Sequence, residues 1–225
     1  FAVEEAIRIK DRIPESEINV FSMGPESVKD ALKRALAMGA DHAIHILEPI
    51  YQKLDHLQVA KILSKVILRE SFDLVLCGRQ AVDDDMAQIG PALAVYLDIP
   101  FVTVVTKIQF SEDFKTADIT RQVEGGHEIR KNMALPLLVT CQKGLNSPRL
   151  PSLKGIMASK KKVIQTINAN DLDVDENTLD SQHSKLETLK LSLPLERKKG
   201  IILKGFDVEI AKQLVKIIRE ERKII

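Results

Sequence analysis

Between residues 18 and 105 the chain alternates between two hydrophobic periods, and that alternation restricts its possible folds more than any other feature. Short runs rich in branched and aromatic residues, at 18–23, 43–47, 73–77 and 101–105, read as strands. Between them apolar residues recur at helical spacing. Val28, Leu32, Ala35 and Leu36 form one such stripe, stopped by Gly39. Val59, Ile62, Leu63, Val66 and Ile67 form the next within 56–69, and a third helix is expected over 86–97. Strands alternating with helices over short connections build right-handed βαβ units, with a parallel sheet covered by helices on both faces.

Past residue 105 the rhythm changes. Residues 107–110, 117–123 and 128–130 alternate like hairpin strands, with Gly125-Gly126 as a turn that allows positive φ, and 135–141 returns as a buried strand. The expected fold is therefore α/β, a Rossmann-like three-layer sandwich whose sheet is mostly parallel with an antiparallel excursion. The chain opens inside an amphipathic helix at Phe1, with Glu4 and Glu5 arguing against a targeting leader, so the beginning of the domain is expected to lie outside this numbering. After Gly144 comes a loop with Pro148 and Pro151, then a short Lys-rich helix over about 153–162. Residues 168–184 are polar and acidic, suited to an extended arm. The last helix, over 207–222 with Asp207 as its expected N-cap, carries Val208, Ile210, Ala211, Leu214, Ile217 and Ile218 as a stripe suited to docking on a neighbour. The division expected is an α/β domain over 1–165 and an arm with its helix over 166–225.

Composition excludes several classes of function. With 33 Lys plus Arg against 32 Asp plus Glu, the net charge of +1 provides no general phosphate-neutralising surface, so nucleic acid is not the expected partner. No apolar run approaches the roughly 18 residues of a membrane helix. Two cysteines, Cys77 and Cys141, are too few for a disulfide framework and read as small strand-end hydrophobes. The five histidines are scattered outside any nucleophile motif.

In open α/β sheets, ligands bind beyond the carboxyl ends of strands, where helix N-termini favour anions. Two connections qualify. One is Ser22-Met23-Gly24-Pro25-Glu26, where Gly24 admits close backbone approach. The other runs from Gly78 through Arg79, Gln80, Ala81, Val82, Asp83, Asp84, Asp85, Met86, Ala87 and Gln88 to Ile89. Arg79 there suits a phosphate, and Gln80 and Gln88 suit amide or ribose edges. Three consecutive carboxylates diverge in direction and lack further ligands at metal spacing, so no metal is expected. The simpler role for Asp85 is a helix cap. Backbone N–H groups, not the acids, should face a phosphate. Neither a P-loop nor a Gly-x-Gly-x-x-Gly fingerprint is present.

Three stretches together resemble the beta subunit of electron transfer flavoproteins. They are Gly78-Arg79-Gln80-Ala81-Val82-Asp83-Asp84-Asp85-x-x-Gln88, Arg121-Gln122-Val123-Glu124-Gly125-Gly126-His127-Glu128, and Leu145-Asn146-x-Pro148-Arg149-x-x-x-Leu153-x-x-Ile156-Met157, with Lys160, Lys161 and Lys162 after it. The helix from Ala31 to Asp41 matches as well, and the likeness runs in order over the whole chain. It implies an electron carrier and not a self-sufficient enzyme. The implied assembly is a heterodimer with an alpha subunit that holds most of the redox FAD, while this chain binds AMP or, in electron-bifurcating types, a second FAD. Met23 and the residues from Gly78 to Ile89 would hold that nucleotide. Leu153, Ile156, Met157, Lys160 and Lys161 would form the recognition segment for flavin dehydrogenases such as acyl-CoA dehydrogenases, with Leu153 as the anchor. The C-terminal arm would clasp the alpha subunit. The implied compartment is the cytoplasm in a bacterium or archaeon and the mitochondrial matrix in a eukaryote.

The chain departs from the family in places: the resemblance implies a first strand ahead of Phe1 that this numbering does not contain. One more residue than usual separates Glu128 from Pro136, and Arg130 replaces an aliphatic, so the resemblance leaves the hairpin register open. Asp83-Asp84-Asp85 resembles the AMP type, whereas Arg79 and the run Ala87-Gln88-Ile89-Gly90-Pro91 resemble the FAD type. The competing reading is a free-standing adenine-nucleotide-binding or nucleotide-hydrolysing domain of the stress-protein type. It leaves the arm and the last helix without a role.

Overall fold

A computed structural model describes residues 1–47, 54–168, 172, 184–186, 189–190, 192–194, 200 and 202–221. The chain divides into two compact units, 1–187 and 188–225. In the first, the elements run α1 (Ala2–Arg12), β1 (Asn19–Gly24), α2 (Val28–Met38), β2 (His42–Leu47), α3 (His56–Ile67), β3 (Leu74–Gly78), α4 (Ile89–Leu97) and β4 (Phe101–Phe110). After these come β5 (Thr116–Val123), β6 (Gly126–Ala134), β7 (Leu137–Cys141), α5 (Leu153–Ser159) and β8 (Ile164–Asn168). The strands form a parallel sheet β1-β2-β8 and a mixed sheet β3-β7-β4-β5-β6. In the mixed sheet β3, β7 and β4 are parallel, and β4, β5 and β6 are antiparallel. The architecture is α/β with interleaved strands and helices, as the two hydrophobic periods require.

Strand alternation separates the layers. Val20 of β1 faces a cluster with Ile7 of α1 and Leu32, Ala35 and Leu36 of α2. Its neighbour Phe21 points the other way, toward Ala60 and Ile67 of α3 and Leu93 and Ala94 of α4. Val75 and Cys77 of β3 join that second cluster, so α3 and α4 bridge the two sheets. Every residue of β7 is buried, whereas β1 and β3, each at the edge of its sheet, are mostly half-buried.

β4 belongs to both patterns. Its first half pairs in parallel with β7 and its second half antiparallel with β5, and the register shifts between Val102 and Lys107. Val104 sits at that shift with φ of 59°, unusual for a β-branched residue, and its N–H donates to Thr140 Oγ1 at 3.0 Å. The hairpin register left open by the sequence is set by a bulge. Ala117 pairs with Met133 but Ile119 with Arg130, so the β6 strand carries one extra residue, and the Asn132 N–H donates to Asp118 Oδ1 at 2.8 Å.

Several boundaries differ from the sequence reading. α4 begins at Ile89, not near residue 86, because Asp85 and Ala87 adopt positive φ (55° and 53°) and keep the chain out of the helix. Asp85 is therefore not its cap; the N-cap position belongs to Gln88. β8 was not anticipated, since its isoleucines follow a lysine run and Gln165, Thr166 and Asn168 weaken the strand pattern. In the second unit, α6 (Asp207–Lys216) has Phe206, not Asp207, at its N-cap, and continues as a π-turn over Ile217–Glu221. Its described side chains include exposed Val208, Leu214 and Val215. Most of the expected arm over 168–184 lies outside the described residues, although Leu172 is buried beside Ile44, Ile62 and Ile167.

Candidate functional site

The connection after β3 folds on itself. The Asp85 N–H donates to Ala81 O at 3.2 Å, closing a turn that leaves Val82 at the tip, 98% exposed. Its three carboxylates are all engaged. Asp83 accepts from the Asp84 N–H, Asp85 accepts from the Gln80 side-chain amide, and Asp84 accepts from the Met86 N–H at 3.0 Å and lies 2.8 Å from His56 Nε2. The Met86 N–H, and then His56, hold the Asp84 carboxyl below its usual range. One N–H of the Gln80 amide is committed to Asp85, which leaves its second N–H and its oxygen for a ligand edge.

The acids are thus used within the protein while other groups stay open. A Cβ built on Gly78 would meet nothing within 4 Å, so a ligand has direct access to its backbone. Arg79 has no ion-pair partner among the described residues. Gln88 makes no side-chain cap bond to α4, and α4 has no acid in its first turn. By contrast α3 is closed by a capping box between Asp55 and Gln58, and α5 by Ser152, whose Oγ accepts from the Gly155 N–H at 3.0 Å. The uncapped, acid-free start of α4 suits an anion. The α4 helix lies close to β7, since a Cβ on Gly90 would come within 2.5 Å of Thr140 Cγ2.

At the end of β1, Met23 turns into the core beside Ile44, Ile46 and Ile62, leaving its backbone and Gly24 to the first connection. Gly24 has φ of 148°, and its carbonyl lies 2.9 Å from Nε2 of His45, a fully buried histidine of β2. Since a carbonyl only accepts, Nε2 carries the proton. His56 opens α3 two residues after Leu54, which packs with Ile44 and Ile46 of β2, so its bond to Asp84 ties the β3 connection to the element that packs on the β1-β2 sheet. Asp55 also receives the Lys185 N–H, bringing residues 184–186 to the same helix end. In sequence both histidines are simply scattered outside any nucleophile motif. Only the strand–helix junctions beside them carried a signal.

Around α5 the expected recognition residues stand outward. Leu153 is 83% exposed and Met157 69%, Ile156 is exposed, and Leu150 lies nearby at 89%. Lys160, Lys161 and Lys162 are exposed, and Lys162 also donates to Ala40 O at 2.6 Å. The base of this segment is tied to α1. Arg149 donates to Glu4 and to Asp11 at 3.0 and 2.9 Å, and the Asn146 amide donates to Glu5 and to Phe1 O at 2.8 and 3.0 Å. Burial alone would raise the Glu4 carboxyl, but the hydrogen bonds and charge of Arg149 hold it below its usual range. α5 lies hard against the end of α2, where a Cβ on Gly155 would come within 2.2 Å of Ala37 O. Burial pushes the thiols of Cys77 and Cys141 up to about 11 and about 12, which leaves no thiolate at neutral pH. No cluster of metal-ligating side chains occurs among the described residues, and no described helix is long and apolar enough to cross a membrane.

A family model described as "Electron transfer flavoprotein domain" matches residues 1–172. The chain is 39% identical over 226 residues, all of its length and 85% of the relative's, to an electron transfer flavoprotein subunit beta of Bacillus subtilis. The chain belongs to the electron transfer flavoprotein beta-subunit family. It is also 38% identical over 225 residues to the Sus scrofa subunit beta, with 99% of this chain and 83% of the relative covered. To the Oryza sativa subsp. japonica subunit beta, named as mitochondrial, it is 37% identical over 227 residues, covering all of this chain and 84% of the relative. The family model covers every strand and both connections just described.

Proposed function

We propose that this chain is the beta subunit of a heterodimeric electron carrier, paired with an alpha subunit that holds most of the redox FAD, and that it binds an adenosine phosphate at the β1 and β3 connections. When bound, the flavin supplies the electron-accepting and electron-donating chemistry. This chain's residues supply position. The single observation that carries the nucleotide site is the inward engagement of Asp83, Asp84 and Asp85, which leaves Gly78, Arg79 and the uncapped start of α4 available to a phosphate. The adenosine phosphate is AMP or the AMP half of a second FAD.

For partner choice, Leu153 is the anchor offered to a flavin dehydrogenase such as an acyl-CoA dehydrogenase, with Ile156 and Met157 beside it and Lys160 and Lys161 at the rim. The arm and α6 clasp the alpha subunit through the apolar stripe of Val208, Ile210, Ala211, Leu214, Ile217 and Ile218, of which Val208 and Leu214 stand exposed. The setting is the cytoplasm in a bacterium or archaeon and the mitochondrial matrix in a eukaryote.

Two measurements test this reading. Denaturing the purified heterodimer and identifying the released nucleotides by mass and visible absorption should give one FAD with one AMP, or two FAD in an electron-bifurcating type; absence of any second nucleotide would refute the site. Leu153→Ala should slow electron uptake from the dehydrogenase about tenfold or more while bound flavin is unchanged. Equal partner kinetics would remove Leu153 from the anchor role.

A further inference from the structure

We propose that His56 is a positioning residue for the β3 connection: through Asp84 it fastens that loop to the start of α3 and so keeps it in the shape that receives the adenosine phosphate. This inference rests on the nucleotide reading given above. Among the described residues, the loop has little else to hold it. Val82 is almost fully exposed, Met86 is exposed, Gly78 touches nothing with the space a side chain would fill, and Asp85 and Ala87 hold positive φ without being glycine. Among the described residues, the other hydrogen bonds of its acids and of Gln80 stay inside the loop, from Gln80 to Asp85, from the Asp84 N–H to Asp83 and from the Met86 N–H to Asp84. The 2.8 Å contact from His56 Nε2 to Asp84 Oδ2 reaches across 28 positions of sequence to a rigid helix.

Three features suit His56 to this task. Asp55 and Gln58 already cap α3, so the ring is not needed for the helix. The His56 side chain is only 22% exposed, which limits competition from water for its partner. The helix start also carries partial positive charge, which favours the Asp84 carboxylate where the ring holds it. An acid held there is an acid withdrawn from the phosphate, which it would repel.

The test uses the purified heterodimer with the full chain, in the wild type and in His56→Ala, His56→Gln, Asp84→Asn and the His56→Ala/Asp84→Asn double variant. Bound nucleotide is exchanged against isotopically labelled AMP and followed by mass spectrometry. His56→Ala and Asp84→Asn should each speed nucleotide loss about three- to tenfold, and the double variant should be no faster than either single one. His56→Gln keeps an N–H donor and should recover most of the wild-type rate. Unchanged rates, additive effects, or a Gln variant as fast as the Ala variant would overturn the proposal. Hydrogen exchange of the peptide containing Met86, in nucleotide-free protein, reads the tie directly: faster exchange in His56→Ala supports it and equal exchange refutes it. If the wild type binds no adenosine phosphate, the nucleotide reading fails, whereas equal loop exchange with normal binding defeats His56 alone.

Discussion

The segment around α5 and the loop after β3 both display side chains to solvent, but they are built in opposite ways. The α5 segment is tied at its base to carboxylates that are almost fully buried, Glu4 at 4% and Glu5 at 7% exposure, and its helix lies against the backbone of α2. Among the described residues, the side-chain bonds of the β3 loop's acids and of Gln80 run within the loop and, through Asp84, to half-buried His56. A buried ion pair is expensive to break because one charge is left without solvent or partner, whereas a half-exposed pair opens at little cost. Exposed apolar residues that select a partner gain from a fixed platform, since ordering them at the moment of contact would consume binding energy. A loop proposed to hold an exchangeable nucleotide gains from a tie that opens at little cost.

The contrast can be broken at its strongest point first. Arg149→Met removes the partner of a buried carboxylate and is expected to lower stability by about 2 kcal/mol or more, read as the urea midpoint by circular dichroism. A loss under about 0.5 kcal/mol would mean the α5 base is held by something other than Arg149. Gly155→Ala should come next. Its added carbon would lie within 2.2 Å of Ala37 O, a backbone atom, so α5 must shift, at about 1–3 kcal/mol and with slower electron uptake from the dehydrogenase. Unchanged uptake would show that the exact seat of α5 is immaterial.

Acid sharpens the comparison further. Since the Glu4 carboxyl is held below its unfolded value, the stability it contributes is present above the ordinary carboxylate range and is lost as pH falls through its lower folded value. The stability gap between wild type and Arg149→Met should therefore narrow on acidification, and a gap independent of pH would exclude this pairing as its source. The smallest effect is expected at Asp11, the more exposed partner of Arg149, where Asp11→Asn should change stability by less than about 0.5 kcal/mol by the same measurement.

Much of the candidate site was legible because it lies in one stretch of sequence. The residues from Gly78 to Ile89 follow a strand and precede a helix, and the rule that ligands sit beyond strand ends selects them without any contact being known. What the acids do was not legible. Three adjacent aspartates permit a cap, a metal site or a repelled phosphate, and only the folded loop assigns them to the Asp84 N–H, His56 with the Met86 N–H, and Gln80. The start of α4 was misplaced for a related reason, because positive φ at Asp85 and Ala87 is set by the loop's own bonds and not by helical periodicity.

By itself the sequence determined the alternation of strands and helices, the buried character of β7 and the apolar stripes of the helices, since these follow from spacing along the chain. Tertiary structure alone decided the pairing of β8 with β2, the bulge opposite Asp118, and the contacts of Arg149 with Glu4 and His56 with Asp84. Such contacts join residues far apart in the chain. Their strength depends on burial and on distance in space, neither of which a periodicity records.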